Sequence, residues 1–440
     1  MSFEGFTLQI RYLISSLRAK PVANYPSPIA FALVTLPSGI AQGFLTITLP
    51  FIARRAGVSV AAISSIIAIG LMPLVLDFAW SPLIDLTLTY KRWCAIGTCW
   101  CAGMLVLLSC IPLRPSTAGL ATSGAFALII GTTFILIAVS GLIAYGVPDE
   151  LKGKAAGGLQ VGNTGGIGLG GGIGVWLAAH FSTPMMPGVV LALTSLAFLA
   201  PLSMVPDAAH SVSGSVVQRI LGIGRDLWDL VRQPRGALVA ALVLTPVGAG
   251  AANNLWSAVA EEWHVSANTI ALVTGAAGAC VAAVGCAIGG WWADRMDRRV
   301  VYLAGGGILA LVGTVLAITP RNPVLFTTGT LSYTMTVGIC NAAFSALIIS
   351  TIGRGAAASK CAILGAMGNV PVSYMTAFDG WVHDRWGSVV MLVTEAAICV
   401  LLIVITAVVL RSVQALRIGS PPSQQAVADQ SPSATCLNDN

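Results

Sequence analysis

Twelve apolar runs, each long enough to cross a bilayer, follow one another along the chain with short polar stretches between them. They lie near residues 28–52, 60–86, 92–112, 118–146, 155–180, 186–206, 237–260, 267–293, 299–319, 323–351, 359–382 and 387–411. A helix needs about 20 apolar residues to span a hydrocarbon core of ~30 Å. The pattern therefore predicts an all-α membrane protein with twelve transmembrane helices. Composition agrees: 9% of residues are charged, against about 25% in soluble domains, so the chain cannot cover itself with a charged surface.

The only long gap, 207–236, carries Arg219, Arg225, Arg232 and Arg235 interleaved with Ile220, Leu221, Leu227, Trp228 and Leu230. That reads as a basic amphipathic helix lying on a membrane surface. The expected domains are a cytoplasmic N-terminal segment (1–27), a six-helix bundle (28–206), this linker (207–236), a second six-helix bundle (237–412) and a disordered cytoplasmic tail (413–440). The N-terminus has no signal-peptide cleavage pattern. With it placed inside, 18 of the 23 Lys and Arg fall on cytoplasmic segments and five outside, so both termini are expected in the cytoplasm. The ten cysteines lie mostly within apolar runs and read as small fillers. Scattered basic clusters exclude a nucleic-acid footprint.

The halves repeat. A shift of 209 residues carries Gly39 onto Gly248 and Asp85 onto Asp294. Lys91 and Arg92 follow Asp85, and Arg298 and Arg299 follow Asp294. The second copy, GGWWADRMDRRV, resembles the G-x-x-x-D-R-x-x-R-R loop of the major facilitator superfamily, and the first copy is eroded. Parallel six-helix halves belong to that pattern. The resemblance implies two pseudo-symmetric halves and a cytoplasmic gate made by Asp85, Lys91, Arg92, Asp294, Arg298 and Arg299. It also implies that the fifth and eighth runs meet between the halves. Both are rich in small residues, which allow close helix approach in lipid. Gly166 or Gly170 and Gly285 or Gly289 are thus expected where the halves slide.

Polar residues inside the runs are few. Asp77 sits about nine residues from the end of its run, roughly 13 Å deep, where a charge costs at least ~2.5 kcal/mol without a partner or water. It is expected to face a central cavity, carrying a proton or meeting a cationic group. In this fold the first, seventh and tenth helices line the cavity, so Gln42, Asn253, Asn254 and Asn341 are candidate solute contacts. Each can equally be an interhelical hydrogen bond worth ~0.6 kcal/mol. Gln160, Asn163, Asn369, Asp379 and Glu395 complete the set. Glu261 to His264, with His383 and Asp384, read as an interfacial polar cluster, with a metal site as the lesser alternative.

The stretch PSGIAQGFLTITLPFIARRAGVSVAAISSIIAIGLMPLVLDFAWSPLID is similar to the AmpG-type muropeptide permeases, whose relatives include acetyl-CoA transporters and rhizobial-type siderophore importers. Phe78, Trp80, Pro82, Leu83 and Asp85 fit that family's pattern, and Ser81 replaces its alanine. Asp77 stands where those relatives carry a lysine, which reverses the charge offered to a solute. The resemblance implies an importer of a peptide-, glycan- or siderophore-like compound, with Trp80 on the pathway. Coupling to protons is expected, because no G-x-x-x-x-G-K-[ST] nucleotide loop is present. The expected partners are a small-molecule solute, protons and the lipid bilayer of a bacterial inner membrane. The chain is expected to be monomeric, without cofactor or metal and without enzymatic activity. Export of drugs or metabolites, and a sensor or scaffold that does not transport, stand as alternatives.

Overall fold

The structure, a computed structural model, describes residues 27–205, 234–351 and 363–418, with a few residues between 222 and 232. The expected lead-in segment, most of the linker and the tail beyond Ile418 lie outside the described residues. The described residues form helices joined by turns and short irregular stretches. Nine helices among these residues are long and apolar enough to cross a membrane. In chain order the helices are α1 (Pro28–Arg55), α2 (Val60–Leu86), α3 (Tyr90–Cys110), α4 (Pro115–Gly146), α5 (Asp149–His180), α6 (Met186–Met204), α7 (Pro234–Val243), α8 (Ala267–Ala293), α9 (Arg298–Ile318), α10 (Pro323–Thr351) and α11 (Asn369–Ile418).

Local chemistry sets the boundaries. Ser27, Ser59, Thr89 and Ser266 each accept a backbone N–H at a helix start, satisfying a donor that the first turn leaves open. Large apolar side chains such as Leu107, Leu193, Leu311, Val324, Leu401 and Val408 are exposed around the outside, more than a water-soluble surface tolerates. Lipid is their natural solvent.

Three features differ from the sequence expectation. The seventh run is not one helix. After Val243 it passes through Pro246, Gly248 (φ 72°) and Gly250 (φ 61°), then continues as short turns at Ala251–Asn254, Trp256–Val259 and Ala260–Trp263. The left-handed backbone at the two glycines is what an L side chain disfavours, and proline ends a helix by removing a donor. The eleventh and twelfth runs are joined in α11, with a break at Gly387 (φ 80°, ψ 177°). That helix reaches Ile418, beyond the expected boundary at 412.

The halves touch along two seams, α2 against the arm of α11 before Gly387, and α5 against α8. The turns after α7 add contacts with α1 and α2. Glycines make the packing close. Gly158, Gly162, Gly166 and Gly170 each face a backbone carbonyl of α1, those of Pro28, Ala32, Leu36 and Ile40. This four-residue ladder lies within the N-terminal half. Gly285 and Gly289 face the carbonyls of Met335 and Ile339 on α10, within the C-terminal half.

Candidate functional site

The glycines between the halves are a different set from the expected one. A methyl placed on Gly172 would lie 2.9 Å from the Ala271 carbonyl, and one on Gly275 would lie 2.6 Å from the Gly172 Cα. Gly168 meets Ala279 and Gly275 at about the same range (3.0 and 3.1 Å). Gly166 and Gly170 were expected here; they lie two residues from this face, about 200° around a helix of 3.6 residues per turn. Gly275 itself leaves helical geometry (φ −94°, ψ −110°), inside a π-helical stretch at Leu272–Ala276. Such irregularities collect where helices must move or bind.

One end of the bundle is tied shut. We call it the Arg54 end and the opposite one the Asp85 end. At the Arg54 end the Asp384 carboxylate accepts the N–H groups of Val60 (3.0 Å) and Ala61 (3.1 Å). It thereby caps α2 from the other half, at the positive end of that helix's dipole. Gly380, a turn earlier, lets α11 approach the Val60 carbonyl. Arg54 approaches Glu261 at 3.8 Å across the same seam. Behind them Glu262 gathers His383 Nε2 (2.5 Å), the Ser388 hydroxyl (2.6 Å) and Arg321 Nη1 (2.9 Å), and the Arg321 guanidinium sits over Trp263. Burial pushes the Glu262 carboxyl up, but the hydrogen bonds from His383 and Ser388, with the charges of His383 and Arg321, outweigh it and hold the group below its ordinary value. The interfacial cluster read from Glu261, Glu262, His383 and Asp384 is thus brought together, with Arg321 and Ser388 added.

The candidate pathway residues fall in several places. Asp77 is half-buried on α2 and forms no ion pair with a described residue. Trp80, one turn on, donates its indole N–H to the Thr133 hydroxyl of α4 (2.9 Å). Gln42 is buried and donates to Asn163 Oδ1 on α5 (3.0 Å), which also accepts from Ser38 (3.0 Å). Asn254 donates to Thr376 (3.0 Å), and Asn253 accepts from Thr334 (2.9 Å). These three amides are held between helices. Asn341 is exposed on α10.

At the Asp85 end, Asp85 accepts the Tyr90 hydroxyl (3.0 Å). Asp294 is the exposed C-cap of α8 and makes no ion pair with a described residue. Lys91 and Arg92 open α3 and Arg298 and Arg299 open α9. Asp297 rather than Asp294 is the N-cap that takes the Arg299 N–H (2.8 Å).

A second polar centre had no role in the sequence reading. Asp379, on the first arm of α11, is fully buried, and Glu395, on the second, binds the Ala251 N–H (3.0 Å) and the Tyr333 hydroxyl (2.8 Å). Tyr333 is buried and packs edge-on against Trp256 at 5.3 Å. Both carboxylates carry the signal that singled out Asp77, an acid inside an apolar run. The break of α11 at Gly387 sets the two arms apart as separate helices, and the Ala251–Asn254 turn of the broken α7 bonds to both.

Residues 238–434 match the family model of the Major Facilitator Superfamily. No curated protein matches the sequence. Among solved structures, the chain is similar to the nucleoside transporter NupG (TM-score 0.68, 13% identity, covering 87% of this chain and 99% of that one). It is also similar to a D-xylose-proton symporter (TM-score 0.63, 15% identity, 84% and 95%). A third is a POT family transporter in complex with 5-aminolevulinic acid (TM-score 0.68, 10% identity, 91% and 98%). These likenesses establish the fold, a multi-pass helical membrane protein of the major facilitator type.

Proposed function

We propose that the chain is a secondary transporter of the major facilitator superfamily. It moves a small organic solute by alternating access and couples that movement to protons. The observation that carries the reading is the asymmetry of the contact between halves. The Arg54 end is locked by cross-half bonds from Asp384 and Arg54, whereas Asp294 at the other end has no ion-pair partner among the described residues. A close glycine seam between α5 and α8 supports rocking of one half on the other, because small side chains interlock least. Positive-inside charge favours the cytoplasmic side for the Asp85 end, so this state faces inward, and the resemblance to the AmpG-type permeases favours a bacterial inner membrane. Asp77 offers negative charge to the solute, which favours a cationic or zwitterionic compound of the peptide, glycan or siderophore kind over an anion.

Reconstitution into proteoliposomes tests this. Radiolabelled short peptides, glycans and siderophores are offered with and without an imposed pH gradient. Gradient-driven accumulation of one class is expected, reduced at least tenfold by Asp77→Asn. Gradient-driven extrusion instead would make the protein an exporter. Saturable binding without flux in any direction would leave a sensor or scaffold.

A further inference from the structure

Among the described residues, the buried side-chain polar atoms without a hydrogen-bond partner are concentrated in one place. All but the Ser109 hydroxyl lie on the turns after α7, on α10 or on the first arm of α11. Two of them are the oxygens of a single carboxyl, Asp379, whose residue is 0% exposed. The Ala251–Asn254 turn ties the two arms of α11 together, its Ala251 N–H bonding Glu395 (3.0 Å) and its Asn254 amide bonding Thr376 (3.0 Å), one turn before Asp379. The two carboxyls are bonded very differently. Glu395 accepts two donors, the Ala251 N–H and the Tyr333 O–H, and accepted hydrogen bonds favour the ionised form. Asp379 accepts none, and a bare carboxylate removed from water neutralises itself. The other titratable groups facing the pair are Tyr333 from α10 and Cys399 from the second arm of α11. His383, one turn beyond Asp379, is engaged by Glu262. No Lys or Arg among the described residues forms an ion pair with either carboxyl.

We propose that Asp379 and Glu395 form a proton site, with the proton on Asp379 and the charge on Glu395, and that this site couples the transport cycle to protons. The site stands on its own geometry; its place in the cycle rests on the transporter reading above. Asp77 is then left to meet the solute, and the two tasks fall to different halves.

The coupling follows from what else the same arm of α11 holds. Thr376 binds Asn254 of the broken α7, Gly380 lies against α2, and Asp384 caps α2. Glu395 holds the first N–H after the break. Release of the Asp379 proton to water leaves two like charges in one buried site, with no Lys or Arg among the described residues paired to either. The arm must then withdraw or admit water, and either change loosens the seam that closes the Arg54 end. A cavity of about 10 Å³ bordered by Pro246, Leu309, Tyr333, Leu392, Glu395 and Cys399 is room for roughly one water, on the Glu395 side of the site.

Two measurements on the purified full-length chain test the proposal without needing a solute. The first is infrared absorption of protonated carboxyls at neutral pH, in sodium chloride and in choline chloride. A band that shifts in D₂O is expected in both salts. It should be lost in Asp379→Asn, displaced but retained in Glu395→Gln, and unchanged in Asp77→Asn. Tyr333→Phe keeps both carboxyls and should displace the band without removing it, which guards against misfolding in the asparagine variant. A band absent from the wild type, surviving Asp379→Asn or lost in Glu395→Gln overturns the assignment. A band seen only in choline makes this a sodium site and overturns it too. The second is hydrogen exchange in residues 250–266, corrected for intrinsic pH dependence. It should rise severalfold as the pH is raised and Asp379 loses its proton, and stay low above about pH 5 in Asp379→Asn, a range in which the Glu262 carboxylate is already ionised. A rise that persists in that variant removes the link to the Arg54 end. Failure of the uptake experiment with a positive infrared result would sink the transporter reading and leave the proton site standing.

Discussion

Glu262 shows how a single side chain ties several elements at the Arg54 end. Its carboxylate links the turn before α8 to Arg321, His383 and Ser388. Its folded value is depressed, so its contribution is complete above the ordinary glutamate value of about 4.3 and is lost as pH falls through the depressed one. Acidification below pH ~4 should therefore raise hydrogen exchange in residues 260–266. Glu262→Gln should abolish that acid step and loosen the end by about 1–3 kcal/mol at neutral pH, since it removes hydrogen bonds to a charged group. An acid step of the same size in the variant would assign it elsewhere. This cluster was legible in the sequence as polar residues at span ends, because EEWH and HD stand out against apolar surroundings. Arg321 and Ser388 were not, since nothing local distinguishes them. Asp379 and Glu395 were visible as intramembrane acids, yet their meeting depends on how α11 folds back at Gly387, which no spacing announces.

Among the elements, α5 shows where composition stops being informative. Its glycines were read as an interface between halves, and an interface between halves exists, but on a different face. Gly158, Gly162, Gly166 and Gly170 face α1, whereas Gly168 and Gly172 face α8. The regular four-residue spacing of the first set was a legible signal for a fixed, long helix pair. The two faces predict opposite phenotypes. Gly170→Leu should destabilise the N-terminal half by about 1–3 kcal/mol or more, because overpacking there meets backbone that cannot yield; thermal unfolding in detergent reads this. Gly172→Leu should leave unfolding nearly unchanged and suppress solute flux, because the obstruction lies between bodies that can separate. Equal loss of stability in both would mean that the α5–α8 seam is fixed packing. The broken α7 is a second lesson. Pro246, Gly248 and Gly250 announce a break, but the run 237–260 is apolar enough to read as one span.

For the molecule as a whole, the fold followed from twelve apolar runs and a repeat of 209 residues, because lipid leaves a helical chain few alternatives. The state of the fold did not follow, since both ends carry acid-and-base clusters and the sequence does not rank them. In the structure Asp384 is engaged across the halves, whereas Asp294 makes no ion pair with a described residue. The latch expected of Asp294, Arg298 and Arg299 would then form only in the opposite state, so the two aspartates should act on the same equilibrium with opposite sign. Spin labels at Thr87 and Val300, both exposed near the Asp85 end, would report it as an interlabel distance distribution in a background free of native cysteines. Asp294→Asn should enrich the long distance, and Asp384→Asn the short one. A change of about 1–2 kcal/mol in either direction corresponds to a five- to thirtyfold change in the ratio of states. If Asp384→Asn moves the distribution and Asp294→Asn does not, the Asp85-end loop is membrane anchoring alone, and its aspartate takes no part in the exchange between states.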